Sequence, residues 1–154
     1  MLRQGGYAPP GVSNKTYSVG DIGPGGGVVF YLHPSGTFTS IGSDCGSNCK
    51  YLEFAPADLE GKFEWCSDTE SELGVSAQGI GAGMANTATA DVACTSGAIQ
   101  VAAEYVNNGK TDWHLPSRDE FNELCKYAWS QATGDTSVDC DYSGSLRSGF
   151  SADN

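Results

Sequence analysis

Short runs of β-branched and aromatic residues, separated by glycine-rich breaks, pattern the first third of the chain. Val28-Val29-Phe30-Tyr31-Leu32 lies between Gly25-Gly26-Gly27 and His33-Pro34-Ser35-Gly36, which punctuate a strand. Thr37 to Ile41 is read as its hairpin return. Tyr51-Leu52-Glu53-Phe54-Ala55, stopped by Pro56, is a second strand, and Phe63-Glu64-Trp65-Cys66 a weaker third. The segment Arg3 to Asn14 is polar, contains Gly and Pro, and has no period. Residues 1–16 are therefore read as an extended linker or stalk attachment, and 17–154 as one domain.

Helical spacing appears in two regions. Thr87 to Cys94 and Ala98 to Tyr105 form either one helix interrupted at Gly97 or two short ones, with Asn107-Asn108-Gly109 as the stop. The preceding Ser76 to Ala85 reads as a low-complexity Gly/Ala loop. The second region opens on a capping box, Ser117 with Glu120, just after Pro116. Phe121, Leu124, Cys125, Ala128 and Trp129 then fall at i, i+3, i+4, i+7 and i+8, which predicts one apolar face. The expected class is α+β: a small twisted antiparallel sheet, two helical regions and long Gly-rich loops.

Charge narrows the partners. Asp and Glu number 19 against 8 Lys and Arg, a net charge of −11, and the few basic residues form no cluster. Nucleic acid, sulfated polysaccharide and anionic lipid each need a basic footprint, so all are disfavoured. No stretch approaches the 18 apolar residues of a membrane span. The opening MLRQGGYAPPG has no apolar signal-peptide core, so export would imply a targeting segment already removed, or a fragment.

Six cysteines, Cys45, Cys49, Cys66, Cys94, Cys125 and Cys140, are an even and elevated number. The nearest pair is spaced CxxxC, and His33 and His114 are remote from it, so disulfides explain the set better than zinc. That places the chain in an extracellular, cell-surface or virion-surface setting.

Catalytic signals are weak. His114, between Trp113 and Leu115, reads as structural, and His33 as a solvated turn residue. HExxH, GxSxG and P-loop patterns are absent, and the Gly25-Gly26-Gly27 run leads into a strand with no lysine. No enzyme activity is expected. Asp135, Asp139 and Asp141 are the candidate metal ligands, for calcium, although D-x-x-x-D-x-D is not an EF-hand and a plain solvated loop is the stronger reading. With Tyr142 they sit in a Tyr/Ser/Gly/Asp-rich stretch, Asp135 to Phe150, that reads equally as a recognition loop or an ordinary connection. Trp65, Trp113 and Trp129 are read as core or partly buried supports.

Four stretches in order resemble a known family. Tyr17-Ser18-Val19-Gly20-Asp21-Ile22-Gly23-Pro24-Gly25-Gly26-Gly27-Val28-Val29-Phe30-Tyr31 looks like the opening of the Lcl C-terminal domain family, DUF1566. Tyr51-Leu52-Glu53 with Ala55-Pro56, then Gly83 through Asn86-Thr87-Ala88 to Cys94, then Asp112-Trp113-His114-Leu115-Pro116-Ser117 with Glu120 and Leu124, continue the pattern. The resemblance implies a C-type-lectin-like fold and a place in bacterial surface or phage adhesion proteins, whose adhesin members form trimers that bind host polysaccharide. The chain departs from the family in two ways. Family members continue past the Gly149-Phe150 position into closing strands, so this chain is either a truncated piece or has its sheet completed by another chain. Its negative charge also sets it apart from the members that bind sulfated sugars.

The expected function is a non-enzymatic adhesion or recognition domain at the end of a fibre, stalk or filament, binding a neutral or amine-bearing surface glycan or a cell-surface protein, as a homotrimer. The alternative is a structural subunit or decoration of an extracellular or virion fibre, completed by strand pairing with a neighbour. The expected disulfides are Cys45–Cys49, across a flexible turn, Cys66–Cys94, which the family resemblance also suggests, and Cys125–Cys140, which would tether the tail to the helix, with a buried free thiol as the alternative for Cys125.

Overall fold

The two apolar runs form strands, as their β-branched and aromatic composition favours. In the computed structural model, which describes residues 1–5, 15–59, 61–68, 70 and 72–152, β2 is Val28–Leu32 and β3 is Tyr51–Phe54. A third strand, β1 (Leu2–Gly5), completes an antiparallel sheet of order β1-β3-β2. In β2 the register shifts between Val29 and Tyr31, and Val29, Phe30 and Tyr31 are all buried. A bulge lets three successive side chains avoid water where strict alternation would expose one.

Three sequence readings are corrected here. Residues 2–5 are not part of an extended linker, because their polar side chains find buried partners described below; residues 6–14 of that segment lie outside the described residues. Thr37 to Ile41 is not the hairpin return of β2. Only Phe38 pairs, with Cys49, and β2 takes β3 as its partner instead. Phe63 to Cys66 is not a strand: its carbonyls turn to α2, where Ala98 N–H donates to Glu64 (2.8 Å) and Ile99 N–H to Trp65 (3.3 Å).

The described residues form three helices, α1 (Ala82–Asp91), α2 (Ala98–Ala103) and α3 (Arg118–Ala128). The Gly/Ala stretch is thus partly helical, since α1 begins at Ala82, inside the segment read as loop. It buries Gly83, Thr87 and Ala90, a face of small residues that presents no apolar stripe to be read. Two short helices follow Ser76 rather than one interrupted helix. The α3 capping box is present in full: Ser117 Oγ accepts from the Glu120 N–H, and the Ser117 N–H donates to Glu120 Oε2. The predicted face of α3 is rotated, however. Phe121 is 54% exposed, while Glu120, Glu123, Lys126, Tyr127 and Ala128 are buried.

Two apolar clusters result. The larger joins Leu2, Phe30, Tyr31, Phe38, Leu52 and Tyr127, with the Cys45–Cys49 disulfide at its edge. The smaller packs Ala90 and Ile99 around the Cys66–Cys94 disulfide. All six cysteines are paired, in the three expected pairings. Among the described residues no helix is long and apolar enough to cross a membrane.

Charged groups anchor the edge of the sheet. Arg3 is buried, donating from Nη1 to Glu53 on the adjacent strand (2.8 Å) and from Nε to Asp112 (2.5 Å), both also buried. Burial opposes the guanidinium charge, but Asp112 and Glu53 outweigh it and raise the Arg3 pKa. Glu53 further accepts the N–H groups of Gly25 (3.1 Å) and Gly27 (3.2 Å). Gly25 must lack a side chain here, because a Cβ would stand 2.8 Å from the Trp113 ring and 2.9 Å from Glu53 Oε1.

Replacing Arg3 with Met leaves Glu53 and Asp112 as buried anions without a cation. Chemical denaturation should show a loss of about 3–5 kcal/mol. The triple change Arg3→Met, Glu53→Gln and Asp112→Asn should recover part of that loss. Equal stability of Arg3→Met and the parent would refute the assignment.

Candidate functional site

The side chains best suited to acid–base chemistry are sealed inside the fold. His114 and Glu120 are both fully buried, with His114 Nε2 3.5 Å from Glu120 Oε2. Gln4 reaches them from β1, its Nε2 lying 2.9 Å from both His114 Nε2 and Glu120 Oε1, while Ser40 Oγ donates to Gln4 Oε1 at 2.8 Å. Glu120 Oε1 also accepts the Gly81 N–H (2.8 Å), which joins the start of α1 to α3. Burial alone would raise the Glu120 carboxyl; His114 and the Ser117 and Gly81 amides outweigh it and hold it below its ordinary value. These contacts join β1, the start of α1 and the cap of α3, with His114 enclosed in the junction.

The aspartates proposed for calcium are not gathered around a common point. Asp135 folds back on Ser137, accepting from its N–H (3.0 Å) and Oγ (2.6 Å). Asp141 does the same with Ser143 (2.9 and 2.7 Å) and also accepts from Gln131 Nε2. These hydrogen bonds hold both carboxylates below their ordinary pKa. Asp139 is exposed, and among the described residues no group of three His, Cys, Asp or Glu side chains could hold a metal ion. Two of the three loop aspartates thus serve local turns.

The tail that carries them is nonetheless firmly attached. Cys140 is bonded to Cys125 on α3, and its N–H donates to Asn122 Oδ1 (2.7 Å). Lys126, buried and paired with Glu123, donates to the Asp135 carbonyl (2.7 Å), and Glu123 Oε2 accepts the Gly134 N–H (2.7 Å). The charged face of α3 is therefore a clamp for the following loop. Tyr142 points outward, 66% exposed, whereas Tyr127 and Phe150 turn inward to pack on Phe54. The structure does not bring these aromatics together on one surface.

A different concavity is open to solvent. A cleft of about 240 Å³ lies between α1, Ile99 of α2, the start of α3 and the segments that carry Trp65 and Val75 to Gln78 ahead of α1. Ala90, Ile99 and Leu115 line it with apolar surface, Ser76, Gln78 and Arg118 with polar groups, and Trp65 stands at its side. Trp65 is 58% exposed, which corrects its reading as a core or partly buried support; Trp113 is buried and Trp129 half-buried, in keeping with theirs. Leaving that much indole in water forgoes about 2–3 kcal/mol of burial. The backbone around Trp65 is fixed on both sides, by the α2 bonds above and by the Cys66–Cys94 disulfide. Gly97, at φ 101°, makes this approach possible, because a Cβ would meet the Glu64 carbonyl at 2.7 Å. Sequence reasoning passed over this cleft; its one local signal, an aromatic beside a cysteine, also fits a core position.

Two outcomes are expected. Because the Glu120 pKa is depressed by folding, its contribution is present above the ordinary glutamate value of 4.5 and is lost as pH falls through the lower, folded value. Denaturation midpoints measured against pH should therefore fall below about pH 4.5, and less steeply in Glu120→Gln. Replacing Cys125 and Cys140 with Ser opens a loop of separation 15 and should cost about 3 kcal/mol, with faster amide exchange confined mainly to residues 132–141. No protein-family model matches the chain, and no curated protein or solved structure was found to be similar to it.

Proposed function

We propose that this chain is a non-enzymatic extracellular recognition domain of the DUF1566, C-type-lectin-like kind, with long Gly-rich loops, carried at the end of a fibre, stalk or filament. The observation that carries this reading is where the cross-links lie. Each disulfide fastens an irregular segment rather than bracing the central sheet: Cys45–Cys49 within the β2–β3 connection, Cys66–Cys94 at the Trp65 segment, and Cys125–Cys140 at the tail. Loops held in one geometry lose little entropy on binding, which favours recognition at modest contact area. Disulfides also fit an oxidising compartment at a cell or virion surface.

The ligand class that the charge leaves open is an uncharged or amine-bearing surface glycan, or a cell-surface protein. A homotrimer is the assembly suggested by the family resemblance. The alternative, a structural fibre subunit, draws on the small sheet. Beyond β1 and β2 the described residues add only isolated bridges, Leu2 to His114 and Ile22 to Val28.

The purified chain should bind saturably to a class of features on a glycan array or to a host-type cell surface, and should run as a discrete trimer by light scattering. Absence of saturable binding to either surface would remove the recognition reading. Concentration-dependent filaments would favour the structural one.

A further inference from the structure

We infer that the cleft beside Trp65 is the ligand site, and that it takes one ring of an uncharged carbohydrate. This rests on the recognition reading above and deepens it. Trp65 offers a mostly exposed indole on a backbone fixed by α2 and by the Cys66–Cys94 disulfide. The facing rim is equally fixed. Asn86 Nδ2 donates to the Ala77 carbonyl (2.7 Å), Ser117 Oγ to that of Gly79 (2.9 Å), and the Asp119 N–H to that of Gln78 (3.0 Å). The residues between are thereby presented in one geometry while the Ser76 and Gln78 side chains remain exposed.

The lining selects the ligand. A flat aromatic beside an apolar floor suits the C–H face of a pyranose, and hydroxyl, amide and guanidinium groups at the rim suit its hydroxyls. Ligand pockets usually span about 300–1,000 Å³. At about 240 Å³, this cleft accommodates a single ring rather than an extended chain. Charged sugars fit less well. Arg118 already answers Asp119 at 2.8 Å, so little positive charge is spare for an anion, and the net charge of −11 repels one. A lone indole also falls short of the aromatic cage that captures an ammonium group.

The test uses the full chain and methyl glycosides of glucose, galactose, mannose and N-acetylglucosamine, with glucuronate and choline as charged controls, followed by NMR at the indole N–H of Trp65. At least one neutral glycoside should shift that signal with millimolar affinity. Trp65→Ala should weaken binding about tenfold or more, and Gln78→Ala severalfold, with the remaining amide spectrum unchanged. Array binding that survives Trp65→Ala, with no glycoside shifting the indole signal, would overturn the cleft while leaving the recognition reading intact. Cell-surface binding with none on the array or in the titration would overturn the cleft proposal alone, and no binding in any of the three would overturn both. Preferential binding of glucuronate or choline at Trp65 would overturn the uncharged class.

Discussion

A guanidinium withdrawn from water must find its counter-charges inside the protein, and Arg3 finds them on two segments that are far away in sequence. Glu53 lies across the sheet and Asp112 on the approach to α3. The Coulomb attraction offsets a desolvation cost of several kcal/mol per ion only while the geometry holds, so the contact demands that all three segments stay in register. Glu53 extends the demand to the Gly25–Gly27 turn that launches β2. One cation therefore specifies how the edge strand, the central strand, the glycine turn and the Asp112 segment meet.

A second polar system runs beside it. Gln4, the next residue of β1, touches both His114 and Glu120, and Glu120 in turn holds Gly81, the residue that precedes α1, and the cap of α3. The cleft lies at the outer side of this junction: Thr87, Ser117 and Arg118 line it, and Ser117 belongs to both the cap and the cleft wall. Inner polar contacts and outer surface thus share residues. Buried groups of acid–base type thus tie β1, the start of α1 and the cap of α3 together, and the same junction backs the wall of the cleft.

What could be read from the sequence was what is encoded locally. β2 and β3 announce themselves as β-branched and aromatic runs, the Ser117–Glu120 box needs only its own four residues, and the Cys45–Cys49 disulfide closes a segment whose ends are already neighbours in the chain. Burial of the β1 polar groups was not legible, because Asp112 and Glu120, which receive Arg3 and Gln4, lie more than a hundred residues away. Reading apolar as inward therefore misplaced β1 and turned α3 the wrong way, leaving Phe121 in water and Glu123 inside. In α1 the difficulty was different: Gly83, Thr87 and Ala90 make a close-packing face without any hydrophobic contrast. The loop aspartates attracted attention by composition alone, and two of them are consumed by serines two residues on.

The separation of 109 residues between Arg3 and Asp112 also sets a timetable. At roughly 5–20 residues per second, the first strand waits on the order of ten seconds on the ribosome before its last partner exists. An apolar edge strand kept waiting that long would invite pairing with other nascent chains. Leu2-Arg3-Gln4-Gly5 is poorly suited to such errors, since its charged and amide side chains are content in water until the acidic partners arrive. The composition that hid this strand from view also lets it remain in water while its later partners are made.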